Sequence, residues 1–361
     1  MMAFWSRARV ACAAPTLQGF MTKKASVHDV AKAAGVSIGS VSRVLNGGSY
    51  VSADLQERVL AAVEKLGYRP DANARNLRTG SSKTIGCFIP DISNPLYASY
   101  VSVIESRLQE SGYMLLLGNS RGNTAREQEL MQLFVSRGMD GIIATPLKES
   151  GPEADVFLKC RIPLVILDRD LKKTELDTIA ADHRAGIKKT VEYLFSLGHE
   201  RIALFTPGLD IRPGRERVAG YTDAYEAAKR KIDPRLVREI NPRLVSSFDE
   251  MKALLESPAP PTALIGLGTQ ILSGAMRAAY EMGLVIPTDL SVVGIGTPAT
   301  LEFAQPPMTM LRFDIEASGR AAAELILDRI QSGNTKPARR ITKPMELIIA
   351  SSCAIRRTER R

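Results

Sequence analysis

The amphipathic pattern begins at residue 27. Apolar side chains occupy positions 27, 30, 31 and 34 of VHDVAKAA, the spacing of one helical face. Gly35 stands where a helix commonly ends, and Ser37 stands where the next is capped. Residues 38–46 are expected to form that second helix. At ~100° per residue Val41, Val44 and Leu45 share one side, while Ile38, Gly39, Ser42, Arg43 and Asn46 share the other. A third helix follows Val51-Ser52, with Leu55, Val59, Ala62, Val63 and Leu66 as its stripe and Gly67 as its end. Three short helices on one small core, the second polar outward, predict a helix-turn-helix head.

The same stretch contains a decoy. Gly35-Val36-Ser37-Ile38-Gly39 fits G-x-S-x-G, the turn that exposes a nucleophilic serine in many hydrolases. That turn needs a buried strand before the serine, and the residues before Ser37 have helical period. Ser37 is therefore read as a cap.

From Lys83 onward the rhythm changes. Strand-like runs at 85–89, 113–117, 141–144 and 164–167 alternate with helical stretches at 95–112 and 125–138. After Asp182 the alternation restarts, with a helix to Gly198, strands at 201–205, 263–267 and 291–294, and helices from Gly214 and Gln270. Alternation predicts doubly wound parallel sheets, and the restart predicts two of them. The fold class is α/β, a three-helix head followed by two sheet-built lobes. In such sheets ligands bind beyond the carboxyl ends of the strands, which places Asp91, Ser93, Asn94, Asn119, Thr145, Asp168, Gly268 and Thr269 at candidate positions.

At 361 residues the chain is long enough for two or three domains. It carries 48 Lys and Arg against 39 Asp and Glu, and the excess is polarised. Residues 1–83 hold 12 basic and 5 acidic side chains, whereas the remaining 278 hold 36 and 34. A basic head on a near-neutral body points to a polyanionic partner. The four cysteines are scattered, with no CxxC and no histidine at ligand spacing, which argues against zinc or a disulfide framework and fits a reducing cytoplasm. No apolar run is long enough for a membrane span. Residues 1–21 contain Arg7, Arg9 and a short small-residue run broken by Pro15. They are expected to be either a disordered leader or the product of a start assigned too early, with Met21 the natural first residue.

The run VHDVAKAAGVSIGSVSRVLN, followed by YVSADLQERVLAAVEKLGYRPDANARNLRTG, resembles the head and hinge of the lac repressor/galactose repressor family of bacterial transcription factors. The likeness runs from about Val27 to Gly80 and continues more loosely to the end. It implies a head over 22–70, a hinge over 71–83 and a periplasmic-binding-protein-like body over 84–361. Within that body it implies a first lobe of 84–181 plus 308–333 and a second of 182–307 plus 334–361, with crossings near Asp182, Pro307 and Gly333.

By the resemblance, Ile38, Gly39 and Arg43 stand at base-reading positions. Ser40, Ser42 and Asn46 match phosphate-contacting or helix-anchoring ones, beside the Ser37 cap. Gly39 departs from the pattern, since a side chain that usually helps to read a base is missing. Residues 71–78 match a hinge helix that folds on the operator, with Leu77 as a minor-groove wedge and Arg75 beside it to neutralise phosphate. The implied partners are double-stranded DNA with a near-palindromic operator, a small-molecule effector, and a second copy of the chain in a homodimer or tetramer.

For the effector, Asp168 in VILDRD and Arg217 in RERVAGY fall on positions resembling the family's contacts. Asp91, Ser93, Asn94 and Tyr97 join them from the first lobe, and Thr269 and Thr297 from the second. The family usually has Asn-Asp where this chain has Gly268-Thr269, and two acids where it has Gly296-Thr297. Loss of acid with retention of Arg217 predicts an effector with an anionic group, such as a sugar acid or phosphosugar; a neutral polyol in a reshaped pocket is the alternative.

Two rival functions were weighed. For an enzyme, His28, His183 and His199 are the only histidines, and none sits in a catalytic or metal-ligand spacing. No phosphate-binding loop occurs, and Gly266-Leu267-Gly268 lacks the third glycine of a dinucleotide fingerprint, so no cofactor is expected. A transport solute-binding protein would require a secretory signal in place of the basic head.

Overall fold

A computed structural model describes residues 25–45, 51–69, 80–171, 176–240, 246–296 and 304–356. The chain divides into two units, Met1–Gly80 and Ser81–Arg361.

In the first unit, α1 is Val27–Ala34, α2 is Ile38–Leu45 and α3 is Ala53–Leu66. Ser26 and Asp29 form a reciprocal cap at the start of α1: the Ser26 amide donates to Asp29 at 2.8 Å and the Asp29 amide to the Ser26 hydroxyl at 3.3 Å. Gly35 closes α1 at φ 64°, a left-handed conformation that disfavours any side chain and turns the chain tightly into α2. Arg58 of α3 locks that corner, donating to the carbonyls of Ala34 at 2.7 Å and Gly35 at 3.2 Å. Val30, Ala31, Ala34, Val41, Val59 and Ala62 form the core.

In the second unit, the first lobe contains β1 Thr84–Ile89, α4 Pro95–Glu110, β2 Met114–Asn119, α5 Thr124–Ser136, β3 Gly141–Ala144, α6 Pro152–Leu158, β4 Leu164–Leu167 and β5 Asp177–Ala181. The chain then enters the second lobe with α7 His183–Ser196, β6 Ile202–Thr206, α8 Arg212–Ala227, β7 Val237–Glu239, α9 Ser247–Leu255, β8 Ala263–Gly266, α10 Thr269–Glu281, β9 Ser291–Ile295 and β10 Thr309–Phe313. Helix α11 Ile315–Gln331 and β11 Arg340–Lys343 return to the first lobe, and β12 Met345–Ile348 ends in the second. The sheets have the orders β11-β5-β4-β3-β1-β2 and β12-β10-β9-β8-β6-β7. Every described pairing is parallel except β10 with β12. Strands β3, β4, β8 and β9 are buried along their whole length, as strands covered by helices on both faces must be.

The lobe boundaries expected at Pro307 and Gly333 are corrected. Strand β10 pairs with β9 and belongs to the second lobe, so the crossing falls at Asp314. Strand β11 pairs with β5 and belongs to the first, so the last crossing falls at Pro344. The prolines at 306 and 307 end a loop before β10, and Gly333 only turns the chain out of α11. These punctuating residues mark element ends, which need not be the places where the chain changes lobe.

One buried acid makes a pH prediction. Glu127 of α5 is almost fully enclosed, accepts from the Leu147 amide at 3.0 Å, and is pushed by burial to about 7 from 4.5, against the opposing pull of that bond and of Arg169. A carboxyl raised on folding favours the fold below its unfolded value and loses that contribution as pH rises. Relative to Glu127→Gln, the parent protein should lose on the order of 3 kcal/mol between about pH 4.5 and pH 7. Urea unfolding of both proteins across this range checks it; parallel stability curves would contradict it.

Candidate functional site

Two sites emerge, one in each unit. In the head, the Ser37 hydroxyl accepts from the Ser40 amide at 3.1 Å and lies 3.0 Å from the Ser40 hydroxyl, the geometry of a helix start. Val41 is buried beneath α2. Ser37, Ile38, Gly39 and Arg43 are exposed, and Ser40 and Ser42 are half-buried. An exposed isoleucine, a bare glycine and an arginine therefore share the outer surface of a short helix whose other side is pinned to a core. A Cβ on Gly39 would meet only the Ser37 hydroxyl, at 3.7 Å, so packing does not require glycine there. Asn46, Arg75 and Leu77 lie outside the described residues.

In the body, the carboxyl ends of β1, β4, β6, β8 and β9 face one cavity of about 180 Å³ between the lobes. Asn94 opens α4, its side-chain oxygen accepting from the Leu96 amide at 3.1 Å. Asp168 follows β4 at φ 49°, held by its amide on the Ile179 carbonyl at 2.7 Å. Arg217 lies one turn and a half into α8, and Thr269 begins α10 directly after Gly268. Asn94, Tyr97, Asp168, Arg217 and Thr269 are thus brought together in one lining.

Four expected residues, Asp91, Ser93, Asn119 and Thr145, are not in it. The Asp91 carboxylate binds the Ser93 amide at 3.0 Å and hydroxyl at 2.8 Å within their own turn. Asp91 lines a neighbouring outer cavity with Lys148, Asp210 and Glu239, and Ser93 lines neither cavity. The strand-end rule selects the loop after β1, but only the helix-opening end of that loop faces inward. Thr297 lies outside the described residues.

The charged centre is a three-residue chain. His183 is fully buried, its Nε2 sitting 2.9 and 3.1 Å from the two Asp168 oxygens. Arg217 Nε donates to His183 Nδ1 at 3.3 Å, and its NH1 donates to the Leu267 carbonyl at 3.3 Å. An arginine nitrogen can only donate, so Nδ1 accepts and Nε2 carries the proton given to Asp168. Burial, with Arg217 and Arg212 nearby, lowers the His183 pKa despite Asp168, and the ring is neutral. Burial opposes ionisation of Asp168, but His183, Arg169 and Arg217 hold its carboxyl well below the usual carboxylate range. Burial draws the Arg217 guanidinium down to about 10, only partly offset by Asp168. Asp168 also accepts from the Ala181 amide at 3.2 Å and stands 3.6 Å from Arg212. It is the only acid in the described lining.

Four further residues belong to this centre without a sequence motif that marks them. Arg169 donates to the Pro146 carbonyl at 2.7 Å, the Asp168 carbonyl at 2.8 Å and the Tyr97 hydroxyl at 3.4 Å. His183 was seen only as a histidine without a catalytic partner. Phe313 reaches the cavity from β10, the strand whose lobe was misassigned. Glu149, in the loop after β3, accepts from the Asp170 amide at 3.0 Å and, across the lobes, from the Arg212 amide at 2.7 Å; it also pairs with Arg215. Helix α8 has no side-chain cap of its own at Ile211, so a first-lobe carboxylate caps a second-lobe helix. Only the VILDRD repeat of acid and base hinted at any of this.

Among the described residues no cluster of His, Cys, Asp or Glu could hold a metal ion, and no helix is long and apolar enough to cross a membrane. Residues 26–71 match the model for bacterial regulatory proteins of the lacI family, and residues 191–353 match a periplasmic binding protein-like domain. The chain is 30% identical over 332 residues to the HTH-type transcriptional regulator DegA of Bacillus subtilis, covering 91% of this chain and 98% of that protein. It is 29% identical over 310 residues to the ribose operon repressor of Haemophilus influenzae, covering 86% and 93%. The crystal structure of the lac repressor dimer bound to operator and the anti-inducer ONPF superposes with a TM-score of 0.80 at 28% identity, over 92% of this chain and all of that one. A complex of the transcriptional regulator CelR with cellobiose superposes at 0.69 with 27% identity, over 91% and 99%. With an exposed recognition helix on a three-helix core, and two parallel-sheet lobes closing on a buried arginine, the chain belongs to the lacI family of bacterial transcriptional regulators.

Proposed function

We propose that the protein represses transcription as a homodimer on a near-palindromic operator, and that a small anionic metabolite between the body's lobes sets its operator affinity. The observation that carries the effector reading is the state of the cavity's charges. Asp168 accepts from His183 and the Ala181 amide and is the only acid in the described lining, whereas two buried arginines, Arg217 and Arg169, line it. A cavity lined by two arginines and one acid favours an anion, and the planar fork of arginine suits carboxylate or phosphate. Asn94, Tyr97, Asp168, Arg217 and Thr269 form its polar wall, with Arg169 added; whether Thr297 joins them is a matter for the loop after β9. The lac repressor dimer on its operator and the CelR–cellobiose complex support a two-fold, DNA-bound, ligand-responsive reading for this relative. A protein that acts on DNA in a bacterium works in the cytoplasm, and a tetramer would add a second dimer without altering either site.

A solute-binding role in transport is the second reading, and the basic head weighs against it. The family's members are transcriptional regulators, which leaves no observation favouring an enzyme. Retardation of the DNA upstream of its own gene, with and without candidate metabolites, tests the proposal. Binding that is sequence-independent and indifferent to every metabolite would refute it.

In the head, Ile38, Gly39 and Arg43 are proposed to read bases, and Ser40, Ser42 and Asn46 to hold phosphates beside the Ser37 cap. Arg43→Ala should cost roughly 1–3 kcal/mol on the cognate operator and much less on random DNA. Equal weakening on both sequences, measured by anisotropy, would assign Arg43 to phosphate alone. An isolated eight-residue segment is too short to hold a helix by itself in water, so a hinge of that length is proposed to act together with DNA. Leu77→Ala, flanked by Arg75, should then weaken operator binding while leaving effector binding unchanged; unchanged DNA affinity would remove the wedge from the account.

A further inference from the structure

The anionic group accounts for one end of the effector, and the remaining wall of the cavity speaks to the other. Most of that wall is hydrocarbon: Pro95 and Leu96 from the first lobe, and Ile211, Leu267, Ile271 and Phe313 from the second. Neutral polar side chains in the described lining are few. Asn94 has its oxygen committed to the Leu96 amide and keeps only its NH2 as a donor; with it stand Thr269 and Gln270 in the first turn of α10 and the Tyr97 hydroxyl, which already accepts from Arg169. The one carboxylate in the described lining, Asp168, already accepts from His183 and the Ala181 amide. A sugar body presents a hydroxyl on nearly every carbon, and each needs an acceptor or donor once it is buried. The described wall supplies few of them beside its long hydrocarbon stretch. A hydrocarbon body needs none and gains from leaving water.

The positive end is equally localised. Helix α10 starts at Gly268 with no side-chain cap, and its first turn lines the cavity together with Arg217. Buried arginine and open helix start together favour one compact anion. The cavity, at about 180 Å³, is smaller than the about 300–1,000 Å³ of clefts that take drug-sized ligands.

Resting on the anionic-effector reading, we infer that the effector is a compact apolar carboxylic acid, with an aromatic or branched aliphatic body, and not a sugar acid or phosphosugar. Its carboxylate sits between Arg217 and the start of α10, and its body packs on Ile271 and Phe313. Asp168 and His183 do not touch the ligand's body; they hold Arg217 in place.

The test uses the full-length protein and five probes: benzoate, isovalerate, glucuronate, glucose phosphate and glucose. Binding is read from the shift in thermal midpoint with probe concentration, which follows mass action. The expected result is that benzoate or isovalerate binds at least about tenfold tighter than glucuronate and glucose phosphate, a difference of about 1.4 kcal/mol. Arg217→Gln should remove that binding. Ile271→Thr, which shortens the side chain by a methyl group and adds a hydroxyl, should weaken the apolar acids and leave or improve glucuronate. Arg217-dependent binding of glucuronate or glucose phosphate in preference to the apolar acids would overturn this inference and leave the anionic reading standing. Glucose binding that survives Arg217→Gln would overturn both. No response to benzoate or isovalerate, with the protein folded, also overturns the inference.

Discussion

Arg217→Ala should abolish the effector's influence on DNA binding while leaving operator affinity in its absence close to that of the parent. Arg217 is only 6 % exposed, and its two protein bonds, to His183 and the Leu267 carbonyl, are both long at 3.3 Å. The guanidinium retains donors for a ligand. Hydrogen bonds to charged groups contribute about 1.5–3 kcal/mol each, so a ligand that loses two of them binds roughly 100-fold more weakly or worse. Alanine also leaves the His183 Nδ1 acceptor without its donor, so some loss of body stability is expected. Arg217→Lys separates the two effects, because it keeps the charge without the fork. It should recover stability and only part of the effector response. Calorimetry of ligand binding beside anisotropy on DNA reads both; an effector response that persists in Arg217→Ala would remove this residue from the site.

The largest expected effect on stability lies outside the cavity lining. Asp177, at the start of β5, is completely buried and accepts two bonds from Arg329 of α11, Nε and NH2 each at 2.9 Å. It also accepts from the Arg339 amide at 2.6 Å and the Arg339 side chain at 3.0 Å, just before β11. The carboxylate therefore ties the returning helix and the returning strand to the first lobe. Removing one partner of a buried pair leaves the other charge uncompensated, at about 3–5 kcal/mol. Asp177→Ala should lower the thermal midpoint by on the order of 10 °C. Arg329→Met in the same chain should restore part of the loss, since no orphan charge would remain. Burial opposes ionisation of Asp177, but its arginine bonds hold its pKa below the ordinary value. Its contribution is therefore present at neutral pH and lost as pH falls through the carboxylate range, and Asp177→Asn should flatten that part of the stability curve. A midpoint within about 2 °C of the parent for Asp177→Ala would show that Arg329 finds solvent instead.

Local chemistry made the head legible in the sequence. The spacing of Val27, Val30, Ala31 and Ala34, the left-handed Gly35 and the capping Ser37 all act within a few residues, so reading along the chain captured them. Asn94, Asp168 and Thr269 were legible for a different reason: strand ends in doubly wound sheets face a common cleft, and the hydrophobic runs mark where strands end. That rule is blind to direction within a loop, which is why Asp91 and Ser93 were placed inward when they satisfy one another in a turn. It is also blind to partners far apart in sequence. Glu149 caps a helix 63 residues away and in the other lobe, and no local pattern announces such a bond. Strand β11, RITK, lies at the edge of its sheet and is half-exposed, so its apolar content is low and the hydrophobic pattern does not mark it. The crossings at Asp314 and Pro344 followed from knowing which sheet β10 and β11 join, and pairing is a tertiary fact.

The account's central claim is that one molecule in the interlobe cavity and one operator on the head are energetically coupled. The most direct measurement is fluorescence anisotropy of the full-length protein on a labelled operator, mapped by footprinting its upstream DNA and titrated with an effector shown by calorimetry to bind the body. The account predicts that saturating effector shifts operator affinity by about 5–150-fold, that operator shifts effector affinity by the same factor, and that Arg217→Ala abolishes both shifts with DNA binding intact. Operator affinity that stays constant from empty to saturated cavity would contradict it.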